Sequence, residues 1–229
     1  FGTLFLAEVC GMPHDPARGK RVRDMLEKAV ALTRQAQNDQ GGWRYDPRPT
    51  QADVSVTVAQ LMALRAARNA GVFVPKRQVD KAVEYIKACQ QRDGGFCYIK
   101  GPGAVAGSAF ARSAAAVVGL FTAGEYDGKE VTAGLEYLMR FLPGQRVGGF
   151  GEARPEHYFY GHYYAALAMW TAGGEYWGRW FPAVRDELVA KARTTSTGVW
   201  TDWHGPAYAT AMACIVLQLP NNYLPIMQK

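Results

Sequence analysis

The chain repeats itself, and that repetition limits its fold more than any other feature. Residues Glu27 to Trp43 align without a gap on Asp80 to Phe96: Lys28, Ala29, Val30, Gln37, Gly41 and Gly42 recur as Lys81, Ala82, Val83, Gln90, Gly94 and Gly95. The Gly-x-aromatic ending returns as Gly148-Gly149-Phe150 and as Gly198-Val199-Trp200. The aromatics at 43, 96, 150 and 200 stand 53, 54 and 50 residues apart, so four diverged copies of one unit account for the chain. Repeats are expected near 20–71, 77–124, 128–174 and 177–220, with 1–11 closing a preceding one, all in a single domain 1–229.

Each unit reads as two helices. The stretch before the glycines is amphipathic, with Val22, Met25, Leu26, Ala29, Val30 and Leu32 in the first copy and Val79, Val83 and Ile86 in the second. Charged residues take the opposite side, which predicts an outer helix packed along one face. The stretch after the glycines, as in Val54 to Ala70, Ala109 to Ala123 and Tyr163 to Ala172, is apolar nearly all round. A helix without a polar face has to be covered on every side, so these are inner helices. The stretches Ser55–Gly71, Ser108–Gly124 and His157–Gly173 each close on a glycine, which supplies a left-handed helix end. Thr50-Gln51-Ala52-Asp53 is a capping-box pattern with Asp53 as its acid, and Pro155 and Pro206 suit first-turn positions. Strand signals are nearly absent. The expected fold is all-α, an α/α toroid of about nine helices with the inner ones facing a shared centre. That is too few to close such a ring, which implies upstream repeats and leaves compartment and leader unassigned.

Composition supports a packed protein. Of 229 residues 48% are hydrophobic and 20% charged, which is ample for a core and excludes wholesale disorder. The net charge is +6, but the basic residues are scattered, and the densest group is Arg18, Lys20, Arg21 and Arg23. No aromatic or binding motif accompanies that group, so it reads as a solvated helix face and no nucleic-acid partner is expected. The longest apolar runs, Ser113 to Gly124 and Tyr163 to Gly174, fall short of the ~20 residues of a membrane span. A soluble protein that is not transmembrane is expected. Its four cysteines are too few and too scattered for a disulfide-built scaffold.

The pattern Gln37-x-x-x-Gly41-x-Trp43 makes a physically sensible turn lock: the Gln bonds the loop backbone, the glycines permit positive φ, and the aromatic covers the amide. The second copy is fuller, Lys81-Ala82-x-x-Tyr85-Ile86-x-x-x-Gln90-x-x-x-Gly94-x-Phe96. This resembles the Gln-Trp repeat of squalene and other triterpene cyclases, within the superfamily that includes protein prenyltransferase β subunits. The resemblance implies an α/α toroid, a polyisoprenoid held in a central apolar cavity, and a proton supplied by an Asp-x-Asp-Asp-Thr motif. The corresponding stretch is Asp53-Val54-Ser55-Val56-Thr57. Ser55 stands at the proton-donating position and Val56 replaces the neighbouring Asp. Protonating an alkene takes a strong acid, and a serine hydroxyl is not one. Alkene protonation is therefore not expected at this position.

Prenyltransferases of the same superfamily hold zinc through Asp, Cys and His. The segment Glu156 to Tyr164 is similar to their His-bearing helix, but it lacks a Cys partner, and His157 and His162 stand five apart around the helix. A metal reading would have to use His157 with Glu152 or His204, and none is expected. Rings that carry a Cys-x-x-Gln thioester are not matched either, since Pro13, Arg92, Lys100 and Leu217 stand where the Gln would be. No cofactor is expected.

The seventeen-residue alignment of inner stretches puts Ser55, Ser108 and His157 in equivalent positions. The following turns bring Arg112, Tyr160 and Tyr164 within reach, and Tyr208 matches Tyr160 in the fourth copy. With Asp53 they form the candidate ligand-binding set: aromatic and apolar walls with a few polar anchors, the usual make-up of a small-molecule site. A plainer reading makes Tyr158, Phe159, Tyr163 and Trp170 core residues, His162 a satisfied buried histidine and His14 a loop residue. Arg112, in an otherwise apolar helix, calls for an acidic partner such as Asp53 or for a ligand anion. Three functions follow. The leading one is a protein that binds an isoprenoid-like apolar molecule without the usual acid. The others are an isoprenoid cyclase or transferase with a divergent acid or metal, and a scaffold whose rim binds a protein partner.

Overall fold

The computed structural model describes residues 1–12, 14–101, 107–144, 157–193 and 198–221. Nine α-helices run through them in chain order: α1 (Gly2–Val9), α2 (Pro16–Gln35), α3 (Val54–Asn69), α4 (Lys76–Ala88), α5 (Phe110–Ala123), α6 (Lys129–Met139), α7 (Tyr158–Ala172), α8 (Gly174–Arg193) and α9 (Pro206–Gln218). Among the described residues the only β pairing is one isolated bridge between Trp43 and Asp53. Phe150 and Pro155, named above, lie outside the described residues. No described helix is long and apolar enough to cross a membrane.

Two compact units divide the chain. The first comprises 1–90, 97–107 and 119–125, the second 91–96, 108–118 and 126–229. In the first, α1 packs on α2 and α3, and α3 also meets α2 and α4. In the second, α7 is the hub, touching α6, α8 and α9. Burial follows the apolar pattern. Residues 113–121 of α5 and 164–169 of α7 are buried without a break, while α4 buries only Ala82, Val83, Tyr85 and Ile86 along one face.

The outer face of α2 differs from expectation. Leu26, Val30 and Thr33 are its buried residues, spaced i, i+4, i+7 along one stripe. Met25 and Leu32 sit one residue off that stripe, about a quarter-turn round the helix, and are exposed. Arg23 also departs from the solvated reading: its guanidinium donates to the carbonyls of Ala70 (2.7 Å) and Gly71 (2.9 Å) at the end of α3.

The capping box is corrected as well. Asp53 is itself the N-cap of α3, its side chain accepting from Val56 N. Its own N–H is committed to Trp43 O at 3.0 Å, which holds Asp53 extended and prevents an earlier start at Thr50. Pro206 does occupy the first turn of α9, and Gly71, Gly124 and Gly173 close their helices at positive φ.

The glycine corners explain the repeat. Gln37 Nε2 donates to Gly41 O and to Gln78 O, both at 2.8 Å, so the corner is tied to α4, the next outer helix. Trp43 Nε1 donates to Thr33 O at 2.6 Å, and Trp43 N to the Thr57 hydroxyl at 3.1 Å. A Cβ on Gly41 would collide with the Lys81 carbonyl, and one on Gly94 would lie 2.5 Å from the Ala133 carbonyl. Both have positive φ, 92° and 87°. Each corner is therefore pressed against the backbone of the next outer helix, where only glycine fits.

Candidate functional site

In the first unit the bridge to Trp43 and the cap at Val56 sink Asp53 completely, at 0% exposure. Oδ1 accepts from Val56 N at 2.8 Å, and Oδ2 is buried with no hydrogen-bond partner of ordinary geometry. Burial pushes its pKa up, only partly opposed by the Val56 amide, the nearby Tyr98 hydroxyl and the charge of Arg44. Ser55, next on α3, is half-buried. Thr57 is buried and its hydroxyl is spent on Trp43 N.

A layer of hydroxyls surrounds this carboxyl. Val54 N donates to Tyr98 O at 3.0 Å, which lays the Tyr98 segment along the start of α3. Tyr98 Oη lies 2.7 Å from Tyr45 Oη. Tyr85 donates its hydroxyl to Ala52 O at 2.5 Å. Desolvation raises the Tyr98 pKa, with Tyr45 and Asp53 adding to it. Tyr85 belongs to the repeat signature, whereas Tyr45 and Tyr98 do not stand out in the sequence, though a signal exists: Trp43-x-Tyr45 recurs as Phe96-x-Tyr98.

In the second unit three of the expected residues come together. The Tyr160 and Tyr164 rings stand 4.7 Å apart, with Tyr163 4.8 Å from Tyr164. Tyr164 is held well above the ordinary phenol range, by burial first and then by Tyr160, Tyr163 and Tyr208. Tyr163 is pushed up to about 12, mainly by burial. Ser108, Arg112 and His157, of the same unit, have other neighbours. Ser108 donates to Asp93 at 2.7 Å. Arg112 is half-buried and acts on Tyr137, whose pKa burial and Asp93 lift to about 12 while Arg112 and Arg140 pull it down. His157 is exposed, left-handed at φ 58°, and 6.2 Å from the Trp203 ring.

The supposed equivalence of Ser55, Ser108 and His157 does not survive in the helix register. Thr57, fourth residue of α3, takes the Trp43 amide, and Ser113, fourth residue of α5, takes the Phe96 amide at 2.8 Å. Matched from their starts, Ser55 corresponds to Ala111, Ser108 precedes α5, and His157 occupies the N-cap position that Asp53 fills in α3. The closing glycines align by the shorter interval because α5 has 14 residues and α3 has 16.

His162 is not the satisfied histidine expected. Its ring is buried against Tyr158 at 4.3 Å, Phe110 at 5.1 Å and Trp180 at 5.8 Å. Nδ1 has no hydrogen-bond partner, nor has Trp180 Nε1. Desolvation lowers its pKa to about 4 against the pull of Glu187. Burial pushes Glu187 upward, but hydrogen bonds from Lys191 and Tyr158 outweigh it and leave that carboxylate lowered. Among the described residues no three His, Cys, Asp or Glu gather as a metal site; Glu152 is outside them.

Helices paired through Gln/Gly-aromatic corners, with the buried one following each corner, define an α/α-repeat protein of the cyclase type. The sequence matches the family model of the squalene-hopene cyclase C-terminal domain over residues 19–158, more than half the chain. The protein belongs to that family, whose fold is the α/α toroid. Comparison with curated proteins returns no match.

Proposed function

We propose that the protein binds an isoprenoid or similarly apolar small molecule and does so without the family's alkene-protonating acid. The observation that carries the reading is the tyrosine cluster of Tyr160, Tyr163, Tyr164 and Tyr208, drawn together in a setting dry enough to raise the pKa of Tyr163, Tyr164 and Tyr208. Such aromatic faces suit an apolar chain, and the few hydroxyls give it orientation. Ser55 supports the second half, because its hydroxyl does not supply the proton that cyclisation requires. Ser108, Arg112 and His157, of the same unit as the tyrosines, are carried in the proposal as further ligand contacts.

The test is extraction of the purified protein with organic solvent, followed by mass spectrometry, and titration with radiolabelled linear isoprenoids. A bound isoprenoid, and binding weakened at least tenfold by Tyr164→Ala, is the expected result; no retained lipid and no binding of any isoprenoid would refute it. One observation favours a second reading, a divergent isoprenoid-transforming enzyme: Asp53 is a buried carboxyl that burial keeps protonated to higher pH than usual. Cyclised or transferred products appearing during incubation, and lost in Asp53→Asn, would select it.

A further inference from the structure

Two thiols flank the second corner. Cys89 caps the end of α4 and Cys97 follows Phe96, so residues 90–96 lie between them. Cys97 N donates to Cys89 O at 2.9 Å, and Gln91 N to Gly95 O at 2.8 Å. This pair of bonds makes the two limbs of the corner run side by side in opposite directions, with Cys89 facing Cys97. Residues so opposed in antiparallel chains have Cα atoms about 5.5 Å apart and side chains on one side, within the span a disulfide needs. Both cysteines are in the thiol form, both belong to the first unit, and both are shut away from water, Cys89 at 0% and Cys97 at 5% exposure. The first corner has the same inner bond, Asn38 N to Gly42 O at 3.0 Å, but Ala36 and Arg44 stand where the cysteines would be. We propose that Cys89 and Cys97 form a dithiol site that a low-molecular-weight disulfide oxidises to an intramolecular disulfide, stapling the second corner.

The exchange balances in atoms and electrons. Cys97, the less enclosed of the two, attacks one sulfur of the reagent. The reagent's S–S bond breaks, a bond from Cys97 Sγ to that sulfur forms, and the other half leaves as a thiol carrying the Cys97 proton. Cys89 Sγ then attacks Cys97 Sγ, the mixed disulfide breaks, and the second half leaves as a thiol with the Cys89 proton. The two cysteines lose two electrons and the reagent gains them. In exchange Cys97 Sγ gives up its weak bond to Ile99 O, at 3.3 Å. Burial pushes the Cys89 thiol up to about 12, with Cys97 the next cause. Thiolate is therefore scarce at this corner, and the reaction belongs to the slow end of the range, over hours.

This site stands whether or not an apolar ligand binds, and its test uses the ligand-free protein. The native chain is incubated with oxidised glutathione, remaining thiols are alkylated in denaturant, and tryptic peptides are read by mass spectrometry. Cleavage after Lys87, Arg92 and Lys100 puts Cys89 in peptide 88–92 and Cys97 in peptide 93–100. The expected product is these two peptides joined, lighter by two hydrogens than their sum and parted by reductant. The joined protein should also melt a few degrees higher, because closing the loop lowers the entropy of the unfolded chain. Cys97→Ala should abolish the joined pair. Both peptides alkylated after full incubation, glutathione left on either cysteine with no joined pair, or a linkage to Cys10 or Cys214 in its place would overturn the proposal, and a joined protein that melts no higher would overturn the stapling. Should Cys97→Ala fail to fold, the double variant Cys10→Ser, Cys214→Ser changes only the less buried cysteines and decides: the joined pair should persist in it, and its loss overturns the assignment.

Discussion

Single residues here carry costs that composition hides. Gly41 and Gly94 combine a positive φ with a backbone carbonyl lying where a Cβ would go. Gly41→Ala should destabilise the protein by about 3 kcal/mol or more, since left-handed strain and a clash with unyielding backbone add together. Urea unfolding measures it, with Gly2→Ala, at an open site, as the near-neutral control. His162 has a pH signature. Its folded pKa of about 4 lies below the unfolded value of 6.5, so the unfolded chain binds the extra proton between those values. That contribution to stability is present above pH 6.5 and is lost as pH falls toward 4, by up to about 3 kcal/mol. Wild type should therefore lose that much more than His162→Leu on acidification; equal losses in urea titrations would refute the assignment.

At the scale of elements, helix ends are tied by side chains from elsewhere in the same unit. Arg23 forks onto the last carbonyls of α3, and Arg65 donates to Phe121 O and Thr122 O at 3.2 and 3.3 Å. Arg23→Lys should cost about 1 kcal/mol, because an ammonium cannot span both carbonyls, and thermal unfolding reads the loss. Lys76→Ala removes only an exposed i, i+4 pair and should change stability by less than about 0.5 kcal/mol. Helix type, order and closing glycines were legible in the sequence, since a 3.6-residue apolar period and a left-handed terminator leave direct marks. Helix starts were not. The Thr50 box looked convincing, yet a single backbone bond from Asp53 N to Trp43 O moved the start to Val54. The same effect displaced Ser108 from the register of Ser55, because a longer approach to α5 is followed by a shorter helix.

For the molecule as a whole, the repeat pointed to the family, and the match over 19–158 supports it. Tyr160, Tyr164 and Tyr208 could be grouped from spacing because they lie on two packed helices of one unit, α7 and α9. The surroundings of Asp53 could not, since Tyr45 and Tyr98 meet across 53 positions of chain through corners whose direction no periodicity encodes. His162 departs from expectation for a related reason: an apolar helix announces burial but not whether a ring nitrogen finds a partner.

The corners also dictate where such a protein may be cut and spliced. Gly41 is shaped to the back of α4, and Gly94 to the back of α6. A cassette severed between hairpins would leave its glycine notch facing nothing and carry off the ridge that fills its predecessor's. Anyone lengthening or shortening the array should transplant each corner together with the next outer rod.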